Sequence, residues 1–251
     1  MPEGVGSILV AFMSSSCVAL RALIVSLLLV APVQAQKPGE RIPLPAKPVE
    51  KIREGVFRIG SIEIDTIKRE LSVPATINSG VTTLEFVANV PNGAKSYESA
   101  LTVKADAYEF NSAALLLGVD PARSRVPRYH FDPATPAGDA LDLYVSWTAA
   151  GGSTKRVRIE ELLFDERTKA PLSEGPWVYT GSSFVNGGYM AALDGVLIGF
   201  VHSPSPIIEN PRNGAVSAYG SVVLNTHLGL AGGTPVTLTV KAVPAKKGPR
   251  P

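Results

Sequence analysis

The sequence predicts an α+β fold, in which a mostly antiparallel β-sheet carries one clear helix packed on it, at about residues 106–118. Three observations lead to this prediction. Apolar and polar residues alternate with a period of two, as in strands that bury one face. Asn92-Gly93 is a strong turn signal, and the helical run has capping residues at both ends. The alternating segments lie at 71–77, 84–90, 141–147 and 236–240.

The first strands contain two interruptions. Between residues 56 and 65 the apolar positions shift phase at Gly60, which indicates a β-bulge. Pro74 lies inside the segment 71–77. Because proline has no N–H to donate to a neighbouring strand, Pro74 indicates an edge strand or another bulge.

The best-defined local feature is a predicted β-hairpin. Asn92-Gly93 is expected to form a two-residue turn that joins the strand at 84–90 to an antiparallel strand at 95–101. In this register the apolar side chains of both strands share one face, as burial requires. Tyr97 falls on that core face.

The opposite face of the predicted hairpin carries Glu85 and Glu98 as diagonal neighbours on adjacent strands. Paired carboxylates can divide the roles of acid and base in catalysis. Carboxylates on the open face of an antiparallel sheet are usually solvated. We therefore expect both side chains to be exposed, and predict no catalytic residue.

The predicted helix has clear ends. Asp106 can cap its first turn, and Glu109 occupies the capping-box position three residues later. Gly118 is typical of a C-terminal cap, and Pro121 prevents the helix from continuing.

The N-terminal residues 1–35 are predicted to be a signal peptide, with either Met1 or Met13 as its start. The apolar run at 22–33 is too short to span a bilayer and is followed by small residues at the cleavage-recognition positions. The alternative is an uncleaved anchor helix. After cleavage we expect no transmembrane span and localisation in the periplasm or at the cell surface.

The rest of the chain is predicted to form a single domain. A Pro-rich tether is expected at 36–54, one β-rich domain at 55–243, and a disordered tail at 244–251. The net charge of +2 over 251 residues gives no electrostatic indication of a nucleic-acid partner. The single cysteine, Cys17, excludes a disulfide framework and lies in the predicted signal peptide.

The sequence contains no familiar catalytic motif and predicts no cofactor. It lacks a G-x-S-x-G elbow, an H-E-x-x-H pair, a P-loop and a dinucleotide fingerprint. His130 and Asp132 can lie on one side of a strand, with His202 or His227 completing a metal site. The wide spacing of these histidines favours loop or surface positions, so no metal site is predicted.

A second candidate surface lies near residue 180. Trp177 and Tyr179 alternate along a predicted strand that runs into a Gly- and Ser-rich loop containing Ser182. Aromatic rings beside hydroxyl groups can form a platform for a sugar or a peptide. The alternative is an aromatic strand in the core that ends in a flexible loop.

Several segments, in this order, resemble the YdjY domain family, a set of mostly exported bacterial proteins without an assigned function. The resemblance spans about residues 65–242 and is carried by the segments 73–78, 84–86, 93–99, 113–118, 177–182, 194–195 and 234–238. The family pattern usually has His where Tyr97 stands, although Lys95, Glu98 and Ser99 match it. Any role of that histidine is therefore not carried over to this chain.

Two functions remain open from the sequence. The first is a non-enzymatic exported module that binds an unknown protein or a small molecule. Its candidate binding residues are Lys95, Tyr97, Glu98, Trp177, Tyr179 and Ser182. The alternative is a hydrolase, with or without the assistance of a metal ion, that uses Glu98, Glu85 or His202.

Overall fold

The computed structural model describes residues 47–212 and 219–244. The predicted signal peptide, the tether up to residue 46 and the tail from residue 245 lie outside the described residues. The strands are β1 (Glu50–Arg53), β2 (Val56–Ile59), β3 (Ile62–Asp65), β4 (Glu70–Ile77), β5 (Phe86–Asn89), β6 (Ser99–Val103), β7 (Ala140–Thr148), β8 (Thr154–Arg158), β9 (Leu163–Asp165), β10 (Ala170–Pro171), β11 (Trp177–Tyr179), β12 (Phe184–Val185), β13 (Gly188–Tyr189), β14 (Val196–Gly199), β15 (Ile208–Glu209), β16 (Val222–Leu224) and β17 (Pro235–Ala242). The α-helices are α1 (Ala107–Leu116), α2 (Ile159–Leu162) and α3 (Met190–Asp194), and 3₁₀ turns lie at Ser96–Glu98, Pro121–Arg123 and Thr226–Leu228.

Eight of these strands close into a barrel, in the order β4-β17-β7-β11-β15-β14-β5-β6, with β6 pairing back onto β4. Closure leaves each of these strands with a partner on both sides, which removes the exposed edges of an open sheet. Two of the pairings, β5–β6 and β14–β15, are parallel. The prediction of a mostly β structure is confirmed, but a mixed barrel replaces the expected antiparallel sheet.

The alternating segments at 71–77, 141–147 and 236–240 form the long neighbouring strands β4, β7 and β17, as predicted. The proline in β4 is neither at a sheet edge nor in a bulge. Pro74 lies where one edge of β4 changes partner, because β3 pairs with residues 70–72 and β6 with residues 75–77. Its missing N–H therefore costs no hydrogen bond with a neighbouring strand.

The N-terminal strands extend the sheet beyond β4. Gly60 forms the turn between β2 and β3 rather than a bulge, since Ile59 pairs with Ile62. Residues 50–53, which the sequence places in the tether, form β1 and pair with β2. The part of the predicted tether that the structure describes thus includes an edge strand.

The helix prediction is confirmed. Asp106 accepts a hydrogen bond from the Glu109 backbone N–H at 2.8 Å, and the Glu109 carboxylate accepts one from the Asp106 N–H at 3.4 Å, which is a complete capping box. Helix α1 buries Phe110 and its neighbouring alanines in the common hydrophobic core. The described residues contain no helix with the length and apolar character that crossing a membrane requires.

The predicted hairpin is wrong. Strands β5 and β6 are adjacent but parallel, so residues 90–98 return the chain to the start of β5 instead of joining two antiparallel strands. Asn92-Gly93 does form a turn. Its glycine lies at a close backbone approach, because a Cβ at Gly93 would lie 3.0 Å from the carbonyl oxygen of Gly195.

Candidate functional site

The parallel register brings two acidic residues together. Phe86 pairs with Ser99, so the residues just before this pair, Glu85 and Glu98, are neighbours on adjacent strands. The Glu85 N–H donates to the Glu98 carbonyl oxygen at 3.0 Å. The two residues are only 6% and 9% exposed. The expectation that they are solvated on an open face is therefore wrong, because the hairpin on which it depended does not form.

Each carboxylate contacts one basic side chain. The Lys95 Nζ lies 2.7 Å from a carboxylate oxygen of Glu98, and the His130 Nε2 lies 3.1 Å from a carboxylate oxygen of Glu85. We call these four residues the carboxylate site. Within residues 47–212 and 219–244, no three His, Cys, Asp or Glu side chains are arranged to hold a metal ion.

The surroundings of the carboxylate site favour a proton on Glu85. Burial raises the pKa of Glu85, and the charge of Glu98 raises it further, while His130 and Lys95 act in the opposite direction. Burial alone would lower the pKa of Lys95, but its ion pair with Glu98 outweighs this effect and the net pKa is raised. Lys95 therefore remains a cation, whereas Glu85 can exchange a proton nearer to neutrality than an exposed glutamate.

The segment that carries Lys95 and Glu98 is held by hydrogen bonds from the Asn78 amide and the Ser99 hydroxyl. The Asn78 amide donates to the carbonyl oxygens of Ser99 at 2.8 Å and of Ser96 at 3.3 Å. The Ser99 hydroxyl in turn donates to the Lys95 carbonyl at 2.8 Å. These bonds fix the short chain crossing between β5 and β6, and they position the ion pair before any ligand arrives.

The loop that carries His130 is anchored by a second histidine. The two ring nitrogens of His202 each lie 3.1 Å from a backbone carbonyl oxygen, one of Asp132 and one of Asn210. The Phe131 N–H donates to the His202 carbonyl at 2.8 Å. His202 is buried and supports the loop, so it does not take the reactive position that the hydrolase hypothesis assigned to it.

The Asp132 carboxylate is likewise occupied. It accepts hydrogen bonds from the backbone N–H groups of Arg128 and Ala134, both at 2.9 Å. These bonds lower the pKa of Asp132 and hold the loop closed. Of the residues considered for a metal site, His130 contacts Glu85, Asp132 holds its own loop, and His202 contacts backbone carbonyls.

Exposed tyrosines lie on the segments that carry the carboxylate site or contact them. Among the described residues the exposed tyrosines are Tyr97, Tyr129 and Tyr219, at 64%, 50% and 52%. The Lys95 ammonium contacts Tyr97, with Nζ 5.7 Å from the ring centre. Tyr97 thus lies on the surface, and its predicted position on the core face is wrong.

The other two tyrosines belong to the His130 side of the site. The His130 ring stacks on Phe131 at 4.0 Å between centroids, and Phe131 meets the edge of Tyr219 at 5.0 Å. Tyr129 lies beside His130 in sequence, under the Arg128 guanidinium. Contacts therefore run from Tyr97 through Lys95 to Glu98 and from Glu85 through His130 and Phe131 to Tyr219. The backbone hydrogen bond between Glu85 and Glu98 joins the two series.

The remaining predicted binding residues lie elsewhere. Trp177 is fully buried and its indole N–H donates to the Glu160 carboxylate at 3.1 Å. Tyr179 is also buried and donates to the Asn111 side-chain oxygen at 2.8 Å. The aromatic platform predicted from these two rings is thus part of the core, as the alternative interpretation of this strand stated.

Ser182 also has a structural role. Its hydroxyl donates to the Pro204 carbonyl at 3.2 Å and accepts from the Ala191 N–H at 3.0 Å. Both contacts are with backbone groups, and no side chain of the described residues is hydrogen-bonded to this hydroxyl. Of the six predicted binding residues, Lys95, Tyr97 and Glu98 come together, while Trp177, Tyr179 and Ser182 do not join them.

Comparison with protein-family models matches the YdjY domain over residues 62–241. This range includes the complete carboxylate site and its three tyrosines. No curated protein and no solved structure matches the chain.

Proposed function

The chain belongs to the YdjY domain family, and we propose that it is an exported, non-enzymatic module that binds a ligand or a partner at the carboxylate site. The observation that carries the proposal is the burial of Glu85 beside Glu98, with one basic side chain on each. Burying charged groups is costly even when they are paired. Because such a cluster does little for stability, its position next to exposed tyrosines supports a role in recognising a ligand.

The rigidity of the site supports binding. Asn78 fixes the segment with Lys95 and Glu98, and His202 fixes the loop with His130. A site that is organised before binding avoids much of the entropy cost of ordering side chains around a ligand.

A thermal-shift screen of the full chain against metal ions, sugars and peptides tests this proposal. A ligand that binds only the folded state adds about 2.7 kcal/mol of stability at a hundredfold excess over its Kd. We expect Glu98→Gln, which keeps the shape of the side chain, to abolish the shift. The control Glu174→Gln changes an exposed glutamate outside the site and should leave it intact. A shift that Glu98→Gln does not change, or no shift with any compound, would contradict the proposal.

A hydrolase is the second candidate, and the contact between His130 and Glu85 favours it. The two groups are 3.1 Å apart, and the raised pKa of Glu85 suits a carboxyl group that acts as a general acid. Here His130 replaces His202 in the role considered from the sequence. Release of product from ester, amide or glycoside substrates, lost in Glu85→Gln, would support this candidate over the binding module.

Export is proposed from the signal-peptide pattern of residues 1–35. Cleavage after Ala35 would leave Gln36 as the first residue of the mature protein. Intact-mass measurement and N-terminal sequencing of the protein from a host culture test this directly. A cell-associated product that retains its first 35 residues would contradict it.

A further inference from the structure

We infer that the ligand of the carboxylate site is a neutral saccharide, whose hydroxyl groups bond to Glu85 and Glu98 and whose ring stacks on Tyr97 or Tyr129. The inference rests on the proposed binding function and specifies the chemical class of its ligand. It follows from the balance of charge at the site, from the exposed rings around it and from the pairing of its strands.

The acidic and basic groups of the site are equal in number. Glu98 is paired with Lys95, and Glu85 contacts His130. The two carboxyl groups would disfavour an anionic ligand. Lys95 and the nearby Arg128 would repel a cationic ligand. A neutral ligand with many hydroxyl groups can instead donate to the carboxylate oxygens and accept from the lysine without disturbing either pair.

The tyrosine rings provide the apolar contact that such a ligand needs. Lys95 lies over the Tyr97 ring and Arg128 over the Tyr129 ring, each at 5.7 Å from the ring centre. These cations hold the rings in place, and a ring exposed by half or more still offers surface to a ligand. An aromatic face beside a few fixed polar groups is the usual form of a site for small molecules with one apolar face.

A peptide fits this site less well. Recognition by strand addition requires a free strand edge, but β5 is paired with β14 and β6, and β6 with β5 and β4. A proline-rich peptide can stack on tyrosines, but its prolines have no N–H groups to donate to Glu85 and Glu98. Each saccharide ring brings several hydroxyl donors.

Isothermal titration calorimetry of the full chain tests the inference. The probes are cellotetraose, maltotetraose and N-acetylchitotetraose, with a proline-rich, a lysine-rich and a glutamate-rich peptide for comparison. We expect at least one tetrasaccharide to bind, and at least one of the variants Tyr97→Ala and Tyr129→Ala to weaken this binding about threefold or more. Phe184→Ala removes an exposed ring outside the site and should leave the affinity unchanged.

Glu98→Gln separates this inference from the proposed function. A saccharide whose affinity falls in Glu98→Gln and in at least one tyrosine variant supports both. A peptide that binds in place of the saccharides and is lost in Glu98→Gln overturns the saccharide class but keeps the site. A saccharide unaffected by Glu98→Gln, Tyr97→Ala and Tyr129→Ala overturns both. If none of the three saccharides and no peptide binds, the saccharide class is wrong, and the wider thermal-shift screen decides the proposed function.

Discussion

Glu209 makes the stability of this protein depend on pH in a predictable direction. Glu209 lies in β15 and is fully buried. One of its carboxyl oxygens accepts from the Ser203 N–H at 3.2 Å, and the other has no hydrogen-bond partner among the described residues. Burial raises the pKa of Glu209 well above its usual 4.5, and hydrogen bonds from the backbone of Ser203 and Asn210 oppose this only in part.

The folded protein therefore keeps the Glu209 proton at a pH where the unfolded chain loses it. Between the ordinary pKa of 4.5 and the raised pKa in the fold, the folded state binds more protons, so the free energy of unfolding falls as pH rises. One proton corresponds to a slope of about 1.4 kcal/mol per pH unit. Glu209→Gln cannot ionise, and its side-chain oxygen can still accept from Ser203. We expect the variant to gain stability relative to the native chain by up to this amount per pH unit.

Urea-induced unfolding at four pH values from about 4.5 to about 7.5 measures the effect as a difference between variant and native chain. Using the difference removes the contributions of other titrating groups, such as Glu85. The exposed Glu174→Gln serves as the control and should give a constant difference. If the difference for Glu209→Gln were also constant across this range, or fell with rising pH, the reasoning from burial would be refuted.

Two further predictions concern local backbone structure, and urea unfolding at neutral pH checks both. Asp106→Ala removes the side-chain half of the capping box of α1 and should lower the free energy of unfolding by about 1 kcal/mol; no change would show that the cap is dispensable. Gly195→Ala forces a Cβ to within 2.5 Å of the Gly93 Cα at a φ of +72°, and should cost at least about 2 kcal/mol. Gly220→Ala, at a similar φ but with nothing within 4 Å, isolates the cost of the backbone angle, and an equal loss in both variants would refute the role of the close approach.

The carboxylate site could be predicted from the sequence only in part. Lys95, Tyr97 and Glu98 were identified because they lie in one short segment that resembles a known family. His130, Tyr129 and Tyr219 were missed as members of the site, since they come from loops far from that segment. No local signal connects His130 to Glu85, because the contact depends on how His202 and Asn210 anchor the loop.

The aromatic strand at Trp177 shows a related limit. Alternating large rings predict a strand equally well whether they face a ligand or the core. In the core, the indole N–H of Trp177 has a hydrogen-bond acceptor, the buried Glu160 carboxylate. That partner lies in a separate element, α2, and the sequence gives no indication of the pairing.

The sequence by itself determined the features that depend on neighbours along the chain: the alternation that forms β4, β7 and β17, and the capping box that begins α1. The tertiary structure alone decided the direction of β6 beside β5, and with it the burial of Glu85 and Glu98. The reason is physical. A turn signal such as Asn92-Gly93 involves only a few residues, whereas β5 pairs with β14 and β6 with β4, and these remote pairings outweigh the local preference.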